Sequence, residues 1–82
     1  MSQYDRVKAV LQAATKPLAL YEIRRRILMR FSVSDSEAAI SARIRDIRHD
    51  LQKEGFTVAS QRAAPGVSNH VYWLTRLTDE KN

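Results

Sequence analysis

The sequence predicts an α+β domain in which three helices precede a two-stranded β-hairpin, and three observations predict it. Apolar residues recur at three- and four-residue steps from Val7 to Leu51, the spacing of one helix face. After Gly55 the apolar period changes to two, as in a half-buried strand. The chain has 82 residues, which suffices for one core and excludes a multi-domain enzyme, because a chain of this size buries only about 60% of its unfolded surface. With 44% hydrophobic residues, two Gly and two Pro, the composition is that of a folding chain rather than a disordered or low-complexity one.

Helix one, about residues 2–14, carries Val7, Val10, Leu11 and Ala14 on one stripe, with Asp5, Arg6, Lys8 and Gln12 between them. Thr15-Lys16-Pro17 ends it, since Pro17 offers no N–H and pushes Lys16 out of the helical region. Leu18 then enters a short extended bridge. Helix two, about residues 19–31, has Leu20, Ile23, Ile27 and Phe31 as its stripe and Glu22, Arg24, Arg25, Arg26 and Arg30 on the other faces. Ser34, followed three residues later by Glu37, fits a capping box and predicts helix three over about residues 35–54. There Ile40, Ile44, Ile47 and Leu51 fall within one narrow sector, which makes them core and turns Ala38, Ala42, Arg45, Asp46, His49 and Lys53 outward. Gly55 is a natural helix stop.

Phe56 and Val58 alternate with Thr57 and Ala59, and Val71 to Thr75 form a second β-prone run. The hairpin spans about residues 56–76, with Pro65-Gly66 in a long tip. The tail, residues 78–82, is short and charged and is expected to fray.

Charge points to the kind of partner. Fourteen Lys and Arg against nine Asp and Glu give +5, and ten of the fourteen are Arg. Arginine predominates where planar, bidentate contact to phosphates or guanine edges is useful, so the bias leans toward nucleic acid. No cysteine is present, which removes disulfides, thiolate metal sites and a Cys nucleophile. His49 and His70 have no third clustered ligand, so no metal is expected. No nucleophile elbow or glycine-rich phosphate loop occurs, so no enzyme activity and no cofactor are expected. Without a signal peptide or a long apolar run, the expectation is a soluble intracellular protein with no membrane partner.

The order helix, short bridge, helix, longer helix, hairpin is that of a winged helix-turn-helix. Ser41-Ala42-Arg43-Ile44-Arg45-Asp46-Ile47-Arg48, then Gly55-Phe56-Thr57-Val58, then Tyr72-Trp73-Leu74, resemble the small winged helix-turn-helix modules of phages and prophages. Lys16-Pro17-Leu18 sits where that pattern carries its turn into the second helix. The resemblance covers about residues 7–74. One departure is visible: six residues, His49 to Glu54, separate Arg48 from Gly55, an excess of about one turn at ~3.6 residues per turn. The resemblance implies double-stranded DNA binding in the cytoplasm of a bacterial cell or phage-infected host, with helix three as recognition helix. It also implies that Tyr72 and Leu74 point inward. Trp73 then lies outward, covered by helix one or forming part of an interface.

Residue chemistry supports that direction. The major groove admits one helix, read mainly by side chains near its N-terminal half. Ala38 and Ala42 let the backbone approach, Ser36 and Ser41 offer hydroxyls, and Arg45 is the choice for base contact. His49 shares that crest, and Arg43 and Arg48 flank it, where they would reach phosphates. Arg25 on helix two, and Arg62, Asn69 and His70 on the hairpin, complete the candidate DNA-contacting set. One module buries about 600–1,000 Å² on DNA, so strong site selection calls for a homodimer, cooperative copies or a partner protein. The alternative is a winged-helix protein-interaction module that binds a polymerase subunit or host factor, favoured by Glu37 and Asp46 on or beside the crest. RNA binding ranks third, for want of spaced aromatic platforms.

Overall fold

The computed structural model describes residues 1–77; the tail, residues 78–82, lies outside the described residues. Helix α1 (Gln3–Ala13) starts at Ser2, whose Oγ accepts from the Asp5 amide at 3.1 Å. The chain then extends through Pro17 into β1 (Leu18–Ala19) and turns into α2 (Leu20–Phe31), where the Glu22 carboxylate accepts from the Ala19 amide at 2.9 Å. Ser32 ends α2 in the left-handed region, at φ 59°, its N–H donating to Leu28 O at 2.9 Å. Such a conformation suits glycine better than a residue with a Cβ.

Helix α3 (Glu37–Leu51) is capped differently from the expectation. Ser36, not Ser34, is the N-cap: its Oγ accepts from the Ala39 amide at 3.1 Å, so the Ser34–Glu37 capping box does not form. The cause is Asp35. Its carboxylate is 5% exposed and accepts from Arg6 Nε and Nη2, both at 2.9 Å, and from Gln3 Nε2 at 3.0 Å. That buried pair pins the segment before Ser36 to α1, and the helix begins only after it. At the far end α3 tightens into a 3-10 turn (Gln52–Glu54) and closes at Gly55 with φ 83°. Helical structure therefore extends to Glu54, with its last turn not α.

β2 (Phe56–Arg62) and β3 (His70–Arg76) form the hairpin, at the predicted boundaries. The sheet nevertheless has three antiparallel strands, in the order β1-β3-β2, where two were expected. Leu18 pairs with Tyr72 and Ala19 with Val71. Two residues are too few to show a period of two, but they satisfy the otherwise open edge of β3.

The core draws on every predicted stripe, although Ala14, Leu20 and Phe31 are only partly buried against it. Val7, Val10 and Leu11 of α1, Ile23 and Ile27 of α2, and Ile40, Ile44, Ile47 and Leu51 of α3 pack with Leu18 and Val58. Tyr72 and Leu74 lie against this cluster, so alternation along β3 turns Trp73 to the other sheet face, half-buried across from Ala59. No helix among the described residues is long and apolar enough to cross a membrane.

Candidate nucleic-acid interface

Four buried residues hold α3 down, and the opposite sector of the same helix stands clear. Ala38, Arg45 and His49 are exposed, and Ser41 and Ala42 half-buried. At 100° per residue, Ala38, Ala42, Arg45 and His49 share one sector. This crest carries two small residues near the N-terminal end and, in the middle, the Arg45 guanidinium, which has no ion-pair partner among the described residues. Ser36 remains exposed at the helix start; its oxygen is used in capping, and its O–H is still available as a donor.

Both flanks of the crest are tied to the rest of the molecule. Arg48 Nε donates to Val58 O at 2.8 Å, so this side chain links α3 to β2 and fixes the hairpin relative to the helix. Arg43 is half-buried, its Nε 3.0 Å from Asp46 Oδ2 but too poorly aligned to count as a hydrogen bond. On the α1 side the Tyr4 hydroxyl donates to Asp50 Oδ2 at 2.8 Å. Burial, and then this bond to Asp50, push the Tyr4 phenol up to about 12, so it stays a donor throughout the neutral range. Tyr4, Arg45, Asp46, His49 and Asp50 surround a shallow hollow of about 510 Å³.

Charge on this helix is balanced. Arg43, Arg45, Arg48 and Lys53 face Glu37, Asp46, Asp50 and Glu54 over the span from Glu37 to Glu54. Two of the acids are engaged, Asp46 beside Arg43 and Asp50 under Tyr4, which reduces the field they present outward. The excess cations lie elsewhere, chiefly on α2.

The hairpin places three of the remaining candidates together. Arg62 and His70 are opposite each other in the β2–β3 register, and Asn69 O accepts from the Ala63 amide at 3.1 Å. Gly66, at φ 84°, makes the turn. Arg62 and Asn69 are exposed, and His70 Nδ1 is 3.1 Å from Ser68 O. Arg25 is not part of either group: it lines a groove between α1 and α2. Sequence reasoning also missed the Asp35–Arg6 lock, since a pair 29 positions apart leaves no local pattern. Among the described residues no three His, Cys, Asp or Glu side chains are placed to hold a metal ion.

Comparison with protein-family models, with curated proteins and with solved structures finds no match to this chain. The functional reading therefore rests on the residues and their placement.

Proposed function

We propose that the chain is a winged helix-turn-helix protein that binds double-stranded DNA sequence-specifically. In this reading it acts as a small transcriptional or replication regulator of phage or prophage type, in the cytoplasm of a bacterial or phage-infected cell. The observation that carries the proposal is the unobstructed α3 crest, with Ala38, Ala42 and Arg45 directly opposite the buried Ile40, Ile44 and Ile47. A major groove about 12 Å wide accepts such a helix. The small residues let the backbone come close, and Arg45 makes the bidentate contact to a guanine edge. Amides at the α3 N-terminus and the Ser36 hydroxyl meet a phosphate there.

The hairpin serves as the wing, with Arg62, Asn69 and His70 on the neighbouring backbone or groove. Arg48, through Val58 O, sets the angle between wing and recognition helix. Arg43 and the free Nη groups of Arg48 position the duplex rather than select its sequence. One module offers little area, so operators with two half-sites bound by a homodimer or by cooperative copies suit this chain best.

Balanced charge on α3 favours the second reading, a protein-interaction module, and one titration separates the two. Anisotropy of a labelled random duplex is measured at about 50 and 200 mM salt. A DNA binder that neutralises several phosphates loses affinity steeply between these conditions. Absence of binding at the lower salt refutes the DNA reading.

A further inference from the structure

The groove between α1 and α2, about 670 Å³, lies outside the proposed DNA contacts except for Arg25. Its floor includes Val10, only 2% exposed. Tyr21 and Met29, 59% and 74% exposed, border it without packing against the core. Arg25, Arg26 and Arg30 line the same groove, and none of them is within ion-pair distance of a carboxylate among the described residues. The single acid there, Glu22, is engaged by the Ala19 amide at 2.9 Å and Lys16 at 3.5 Å, which hold its carboxyl below the ordinary value. An exposed methionine and tyrosine beside three guanidinium groups, of which Arg30 also lies over the Phe31 ring at 5.0 Å, form a surface both apolar and cationic.

We propose that this groove docks an acidic amphipathic helix of a partner protein. Charge complementarity selects the sign: Arg25, Arg26 and Arg30 call for Asp and Glu on the partner's flanks. The apolar lining selects against nucleic acid, because phosphates gain nothing from Tyr21 and Met29, whereas Leu or Phe side chains at i and i+4 bury against them. Methionine adapts its shape to such side chains. The partner's backbone is also constrained. Both walls are helices and neither presents a sheet edge for an extended strand to pair with, so a helix laid into the groove is the mode that fits this surface. This inference does not depend on DNA binding; the groove and the α3 crest are different surfaces, and one chain has room for both.

The test uses the full chain and a labelled acidic peptide of about four helical turns, with Leu and Phe at i, i+4 spacing flanked by Glu, alongside a scrambled peptide of the same composition. The expected result is saturable binding of the patterned peptide, weakened about tenfold by Met29→Ser and by Arg26→Ala, with the scrambled peptide much weaker. Amide chemical-shift changes should fall on α1 and α2. Both substitutions are at exposed positions, and an unchanged melting temperature confirms that the fold is kept. No binding of the patterned peptide overturns the proposal, as does binding indifferent to Met29→Ser, or shifts confined to α3 and the hairpin. Two other results assign the groove to another occupant and overturn it equally: tenfold weaker duplex binding in Met29→Ser, or a concentration-dependent dimer that Met29→Ser dissolves.

Discussion

Helices α2 and α3 are adjacent, bury comparable apolar stripes in one core, and present opposite kinds of surface. On α2, Arg24, Arg25, Arg26 and Arg30 outnumber Glu22, and Tyr21, Leu28 and Met29 are exposed among them. On α3 and its terminal turn, four cations face four acids, and the exposed crest is small or polar. The excess charge of the whole chain is thus compatible with an anionic partner without saying which face would meet it. Under the two proposals shape divides the labour: α3 would be the rod that inserts, while α2 forms one wall of the groove that would receive.

That contrast requires both helices to be held rigidly, and the most damaging substitution tests this. Asp35 ties the chain between them to α1, and replacing it with Ala leaves the Arg6 guanidinium without its partner near the core. Loss of about 1–3 kcal/mol, the range for hydrogen bonds to a charged group, is expected in urea unfolding, with both duplex and peptide binding reduced together. The same pair predicts acid sensitivity. The hydrogen bonds from Arg6, ahead of those from Gln3 and against the cost of burial, hold the Asp35 carboxyl below its ordinary value. The unfolded chain therefore takes up the proton first. Stabilisation is complete above the ordinary carboxylate range, near pH 4, and is lost as pH falls through the lower folded value. Asp35→Asn should flatten this acid limb in thermal melts; an unchanged limb would assign it to other carboxylates.

A substitution confined to one helix should separate the surfaces. Ser36→Ala removes the α3 cap and is expected to cost about 1 kcal/mol, with weaker duplex binding and little change in peptide binding. Smallest is the gain at the end of α2. Ser32→Gly relieves the left-handed conformation at φ 59° and should raise stability by up to about 1 kcal/mol, since glycine adopts it without steric cost. A fall in melting temperature would show that the Ser32 side chain stabilises the turn.

The parts legible in the sequence are those with a repeating signal. Ile40, Ile44, Ile47 and Leu51 announce both a helix and its buried side, and Gly55 announces its end. Phe56 to Arg62 and His70 to Arg76 follow from alternation and a Pro-Gly tip. What was not legible depends on partners far apart in the chain. Leu18-Ala19 becomes a strand only because β3 offers an edge, and Ser36 displaces Ser34 as cap only because Asp35 is drawn to Arg6. Of the candidate contacts, the α3 crest and the Arg62–His70 pair are each brought together by the fold, while Arg48 also serves as a strut to β2 and Arg25 lies in the α1–α2 groove. The groove itself escaped sequence reasoning. Its signal was present in Tyr21 and Met29, apolar residues off the buried stripe of a basic helix.

The most direct measurement compares Arg45→Ala with Arg62→Ala on duplexes selected from a random pool and on unselected duplex. If the α3 crest reads base edges, Arg45→Ala lowers the ratio of selected to unselected affinity by about 1–3 kcal/mol, and Arg62→Ala weakens both alike. An unchanged ratio for Arg45→Ala would place sequence reading somewhere other than the crest of α3.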